Sequence, residues 1–233
     1  MKLNSKRTIL VGLAFLSICA FWQMYDSIVP LILTKTFHMN ETFSGAIMAA
    51  DNILALFLLP FFGSVSDKSH SKLGKRMPFI LFGTGCAIIL MNILPLLDNS
   101  YAAQPSGFKT ASFVIVLGLL LVAMGTYRAP AVALMPDVTP KPLRSRANAI
   151  INLMGAVGGI LYLGVAAVLY PNSKTAGLDH VNYQPLFIVV SVLMAVSVIV
   201  LYFTTNEPKL AAAEKEYEAE HPEQQLVEEE PDG

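Results

Sequence analysis

The chain has 233 residues, 54% of them hydrophobic and only 14% charged, with a mean hydropathy of +0.55 and a formal net charge of -1. A water-soluble domain of this length needs more polar surface, so the composition excludes an ordinary soluble globule and implies a lipid bilayer as solvent. No nucleic-acid partner is expected.

Six apolar runs follow in chain order, at residues 8–33, 42–62, 78–97, 110–134, 146–170 and 183–204. Each is about 20 residues or more, enough for a helix to cross roughly 30 Å of hydrocarbon. They predict an all-α membrane protein with six transmembrane helices over residues 1–206, followed by an acidic tail at 207–233. The first run follows Lys2, Lys6 and Arg7, as in a secretory signal, but it is longer than the 7 to 15 residues usual for such a core. Ile18 stands where a lipoprotein site before Cys19 would need a small residue. Cys19 and Cys86 both fall within apolar runs and read as packing residues.

With six spans, the connections alternate between two sides. One side takes Lys2, Lys6, Arg7, the four basic residues of the 68–76 connection, Arg128, Lys141, Arg144, Arg146, Lys209 and Lys215, thirteen in all. The other takes three, Lys35, Lys109 and Lys174. Basic loops stay on the cytoplasmic side, which places both termini in the cytoplasm of a multi-pass cell (plasma) membrane protein. The net charge conceals a split, +7 over residues 1–206 and -8 over 207–233. The last segment, with few apolar residues, reads as a solvated cytoplasmic linker or tail with a short helix near residues 211–219.

Polar residues within the spans are the candidate site. The first span carries Trp22, Gln23 and Asp26, the second Asp51 and Asn52, the fourth Tyr127 and Arg128, and the fifth Asn148 and Asn152. The third and sixth runs hold no charged side chain. At 1.5 Å per residue, Asp26 and Asp51 lie about 10 and 13 Å below the outer ends of their spans, while Arg128 and Asn152 lie about 9 Å above the inner ends. That predicts an acidic layer toward the outside and a basic and amide layer toward the inside. Arg128 either faces a cavity or snorkels to the interface, and Asp26 either faces a cavity or sits solvated near a helix end. Asn148, Asn152, Gly155 and Gly159 recur at spacings of three and four, the pattern of a seam for tight helix contact. Trp22 is either a stacking platform for a sugar or a core aromatic. Asp51 is read as a substrate or coupling-ion ligand, because a carboxylate at mid-membrane costs about 2.5 to 3.5 kcal/mol and no cation lies near it in sequence.

Two connections have an order that basic loops alone do not require. Between the second and third spans runs "GSVSDKSHSKLGKRMPF", residues 63–79, with Gly63, Asp67, Gly74, Lys75 and Arg76. Gly63 permits close helix approach, and Asp67 can cap free N–H groups or pair with a cation. The second stretch is "RAPAVALMPDVTPKPLRSRANAIINLMGAVGG", residues 128–159, with Asp137 and Arg144. Together they resemble the signature loops of the major facilitator superfamily, and the longer first loop ending in "RMPF" is similar to that of glycoside-pentoside-hexuronide cation symporters and carriers related to sucrose transporters. The resemblance implies a carrier of two six-helix halves that uses a proton or sodium gradient to move a sugar or glycoside, with the first and fourth helices of each half lining the cavity. It covers residues 8–206, one half, so a second six-helix half or a homodimer is an implied partner. A non-transporting membrane subunit stays open as an alternative. A membrane enzyme is disfavoured, since His38, His70, His180 and His221 all lie in connections or the tail. No cofactor or metal is expected.

Overall fold

The structure, a computed structural model, describes residues 4–178 and 180–220. Its elements are α1 (Ser5–Leu31) continued by a π-helical turn (Ile32–Thr36), α2 (Glu41–Asp67), α3 (Met77–Ala103), α4 (Gly107–Asp137), a 3-10 turn (Lys141–Leu143), α5 (Arg144–Leu169), a single helical turn α6 (Asn172–Thr175), α7 (Gln184–Thr204) and α8 (Glu207–Glu220). Six of them, α1 to α5 and α7, are long and apolar enough to cross a membrane. They coincide with the six apolar runs, and the chain is a multi-pass α-helical membrane protein.

Most of these helices run past the predicted boundaries, because hydropathy registers the oily middle of a span and not its polar ends. Caps define several starts: Asn4 accepts from the Arg7 N–H at 3.2 Å, and Asn40 from the Thr42 N–H at 2.9 Å. The third span departs furthest from expectation. Its helix continues to Ala103 and takes in Asp98, which has no exposed surface. The third span therefore does carry a charged residue; hydropathy averages around the helix, and Asp98 is turned to protein rather than to lipid.

Lipid is as apolar as leucine, so the helices are held by close packing and polar clasps rather than by hydrophobic exclusion. α1 packs on α5 and α7, α3 on α4 and α7, and α2 on α4. Glycines set the tightest approaches. A Cβ on Gly83 would stand 2.7 Å from the Tyr127 backbone nitrogen, and one on Gly155 would stand 2.8 Å from Cys19 Sγ. Gly158, outside the four-residue seam read from the sequence, makes the closest approach, against the Leu16 carbonyl. The seam is thus half as expected: its glycine end packs on α1, whereas Asn148 and Asn152 are exposed. Buried hydroxyls add clasps. Tyr127 Oη lies 2.6 Å from Ser17 Oγ and donates to the Ala14 carbonyl at 3.1 Å, and Asn92 Nδ2 donates to Ser191 Oγ at 2.6 Å.

The uncovered surfaces differ by helix. On α3 and α7 they are apolar, with Phe82, Ile89 and Leu96 on one and Ile188, Val192, Val196 and Ile199 on the other, as lipid requires. α2 buries only Ser44 and Ser66. Its remaining surface, together with that of α5, exposes polar residues beside apolar ones: Asn52 on α2, Asn148 and Asn152 on α5, with Asp26 exposed on the adjoining α1.

Candidate functional site

Two groups of sequence-selected residues come together at different depths. The first lies between α1, α2 and α4, where Trp22, Asp51, Gly125 and Arg128 line one crevice. Because α2 begins at Glu41 and α1 continues through the π turn to Thr36, Asp51 and Asp26 each sit ten residues from the same end of the bundle, about 15 Å deep. Their charges are close enough to interact, and the buried Tyr25, its hydroxyl without a hydrogen-bond partner, is within reach of both. Asp51 Oδ1 accepts from the backbone N–H of Asn52 at 2.5 Å and from its Nδ2 at 2.8 Å. Among the described residues no cation pairs with Asp51.

Arg128 is placed deeper than the sequence boundary implied, since α4 continues to Asp137, nine residues on, or about 13 Å. Its guanidinium carbon lies 5.6 Å from the centre of the Trp22 ring, a cation–π contact that turns it toward the crevice rather than to the interface. Trp22 itself packs edge-on against Phe21 and Tyr25, and its buried Nε1 has no acceptor among the described residues. Gln23 is half-buried near Gly159, and Asn152 is exposed on α5; neither lines the crevice. The crevice measures about 20 Å³. Small-molecule sites span roughly 300–1,000 Å³, so these residues form one wall and not an enclosed pocket.

The second group ties the bundle together at the end where α1 starts and α7 stops. Arg76, 5% exposed, is its centre. Its Nε donates to Asp137 Oδ2 at 2.7 Å, its Nη1 to Ser66 Oγ at 2.5 Å, and its Nη2 to Asp67 Oδ1. Burial opposes this charge, but the hydrogen bond and charge of Asp137, and then those of Asp67, outweigh it and raise the arginine pKa. Gly63 acts otherwise than expected. Nothing lies within 4 Å of where its Cβ would be, so it permits no close approach; its carbonyl instead accepts from Ser66 Oγ at 2.9 Å. Gly74 has a φ of +110°, which favours glycine, and the Glu207 carboxylate occupies the space a Cβ would need.

Glu207 was not legible as a site residue. Only 3% exposed, its carboxylate accepts from the backbone N–H groups of Lys75, Arg76 and Met77 at 2.6 to 3.1 Å, closing the N-terminus of α3. Arg144 Nε donates to the Thr139 carbonyl at 3.0 Å, and its Nη2 lies 3.9 Å from Glu214 Oε1. Residues 207–220 form a helix that includes the one expected near 211–219, and most of it is exposed, but the solvated-tail expectation is corrected at Glu207 and Glu214. Those two carboxylates are buried because the N–H groups that open α3 and the Arg144 guanidinium supply the solvation that water would otherwise give. Residues 221–233 lie outside the described residues. A proline following an acid, as in Glu207 and Pro208, does signal a helix start, but no local signal names its partner 130 residues away.

Comparison with known proteins gives the following. The family model for the Major Facilitator Superfamily matches residues 11–228. Sucrose transport protein SUC3 of Arabidopsis thaliana is 34% identical over 158 residues, which is 63% of this chain and 26% of that protein. Sucrose transport protein SUT3 of Oryza sativa subsp. indica is 31% identical over 154 residues, 60% of this chain and 30% of that protein. Sucrose transport protein SUC4 of Arabidopsis thaliana is 26% identical over 191 residues, 76% of this chain and 38% of that protein. The chain thus spans well under half the length of the curated relatives it matches.

Proposed function

Since the chain belongs to the Major Facilitator Superfamily, we propose that it supplies one half of a secondary carrier that moves a sugar or glycoside by cation-coupled symport, with alternating access arising as this half rocks against a second six-helix half. The observation that carries this reading is the open crevice: Asp51, Trp22 and Arg128 are assembled on one wall, with too little room between them for a sugar. The printed names of the relatives, all sucrose transport proteins, support the substrate class. Asp51 and Asp26 serve as ligands for the coupling cation or the sugar hydroxyls, Trp22 as a stacking platform and Arg128 as a hydrogen-bond donor; Gln23, Asn52 and Asn152, outside the crevice, serve as further polar contacts on α1, α2 and α5. Gly63, Asp67, Gly74, Lys75, Arg76, Asp137 and Arg144 form the switch that holds the helix ends in one of two arrangements. Residues 1–206 act as the transmembrane unit, and 207–233 as the linker.

Reconstitution into liposomes tests the half-carrier reading. The chain alone is expected to give no gradient-driven uptake of labelled sucrose, and the chain with a complementary six-helix half is expected to give uptake above protein-free vesicles. Uptake by a chain shown to be monomeric would overturn the two-wall reading. Lack of uptake in every combination would favour a non-transporting subunit.

The thirteen-to-three division of basic residues supports an orientation in the cell membrane with both termini cytoplasmic. Ser71 and Ser100 are exposed on opposite ends of the bundle. In a background without Cys19 and Cys86, Ser100→Cys in intact cells is expected to react with an impermeant thiol reagent and Ser71→Cys is not. The reverse pattern overturns the orientation.

A further inference from the structure

At the end of the bundle away from α8, a titratable pair lies apart from both groups described above. Asp98, near the end of α3, is fully buried, and neither of its carboxylate oxygens has a hydrogen-bond partner among the described residues. The Thr36 hydroxyl stands beside it without meeting hydrogen-bond geometry. Among the described residues the basic group within ion-pair reach is His180, in the segment that joins α5 to α7, with Nε2 3.9 Å from Asp98 Oδ2.

The imidazole is held on both nitrogens. Nε2 faces Asn99 Oδ1 at 2.9 Å, and because an amide oxygen can only accept, Nε2 carries a proton. Nδ1 lies 3.3 Å from the Thr36 hydroxyl, which can donate to neutral imidazole or accept from imidazolium. The same segment is fastened by Asn99 Nδ2, donating to Asn182 Oδ1 at 2.9 Å, and by Tyr170 Oη, donating to the Asn182 carbonyl at 2.8 Å.

Charge bookkeeping limits the states this pair can take. A bare carboxylate removed from water, with no donor, is strongly disfavoured. Two forms avoid it: protonated Asp98 beside neutral His180, or the carboxylate beside imidazolium. Both hold one titratable proton between the two side chains. Among the described residues, the other titratable groups lining the cavity of about 550 Å³ in front of His180 are Lys35, from the π turn, His38, from the α1–α2 connection, and Tyr101, from α3. Tyr183 approaches Asp98 from the start of α7, and Lys109 of α4 is engaged by the carbonyls of Ser100 and Gln104. None of these supplies a second carboxylate, and Lys35 opposes a second positive charge.

We propose that Asp98 and His180 together form a binding site for a single proton, and that the bound proton pins the α5–α7 segment over the ends of α1 and α3. Losing the proton leaves an unpaired charge under His180, so the contact is present on the acid side and weakens as pH rises. The site is separate from the Asp51 crevice and does not depend on what that crevice binds.

Pulsed electron spin resonance on the purified chain, without Cys19 and Cys86, reads the segment directly. Spin labels go on Leu178→Cys, in the segment, and Phe108→Cys, at the start of α4, both exposed. From about pH 5 to about pH 9, a range that brackets ordinary imidazole titration, the distance distribution is expected to widen at least twofold. Asp98→Asn and His180→Gln are each expected to abolish that response. A distribution in the unsubstituted background that is the same at both ends of the range overturns the proposal, as does a full pH response that persists in either variant.

Discussion

Asp51→Asn, made in the carrier assembled from this chain and its complementary half, is expected to preserve expression and insertion while reducing cation-coupled sugar accumulation to passive equilibration. The amide keeps the shape of the side chain, and its oxygen can still accept from the Asn52 N–H groups that now meet Asp51 Oδ1 at 2.5 and 2.8 Å. What it removes is the ionisable group. Those Asn52 donors satisfy lone pairs but neutralise no charge, and no described cation pairs with Asp51. A half-buried carboxylate about 15 Å below a helix end, with a like charge at Asp26 in electrostatic reach, is suited to exchanging a cation. A structural role predicts instead that the amide is tolerated. Accumulation at the native level across pH, with native amounts of protein in the membrane, would make Asp51 structural and remove the centre of the proposed mechanism.

The largest expected effect on stability comes from a single methyl group on α5. Gly158→Ala would place a Cβ closer to the Leu16 carbonyl oxygen than any carbon can stand, and 2.8 Å from the Leu16 carbonyl carbon. Both atoms are backbone, so no side chain can rotate aside, and α5 must withdraw from α1. Overpacking of this kind costs typically 1–3 kcal/mol, and a backbone obstacle lies at the upper end, so about 3 kcal/mol is expected. Gly164→Ala, on the same helix with nothing within 4 Å of its Cβ, is the matched control and should be close to neutral. The chain has one tryptophan, Trp22 on α1, so its fluorescence during heating in detergent reports the α1 environment. Equal unfolding midpoints for the two variants would refute the close α1–α5 approach.

Sequence reading succeeded where lipid imposes the rule. The six apolar runs follow from what hydrocarbon tolerates, and the helices formed where those runs lie. It failed where protein replaces water. Asp98 ended the third run because hydropathy treats it as solvent-bound, yet the helix continues and folds that carboxylate inward toward His180. Glu207 looked like the first residue of a solvated tail because its partners are backbone N–H groups, which no composition reveals. Arg128 illustrates the boundary error in another way. Three further residues of helix and a neighbouring indole moved it from the interface into the crevice.

The carboxylate that closes the first turn of α3 has a consequence in time. Met77 and Glu207 are separated by 130 residues. At about 5–20 residues per second, a ribosome needs about 7 to 26 s to cover that interval. Through it the N–H groups of Lys75, Arg76 and Met77 have only water or lipid headgroups to bind, and Gly74 faces an empty place that Glu207 will fill. The bundle therefore sets last at the end where it starts, once the sixth span has been made. Docking of α8 requires that the four crossings made between Met77 and Glu207 have returned the chain to the side on which α3 begins.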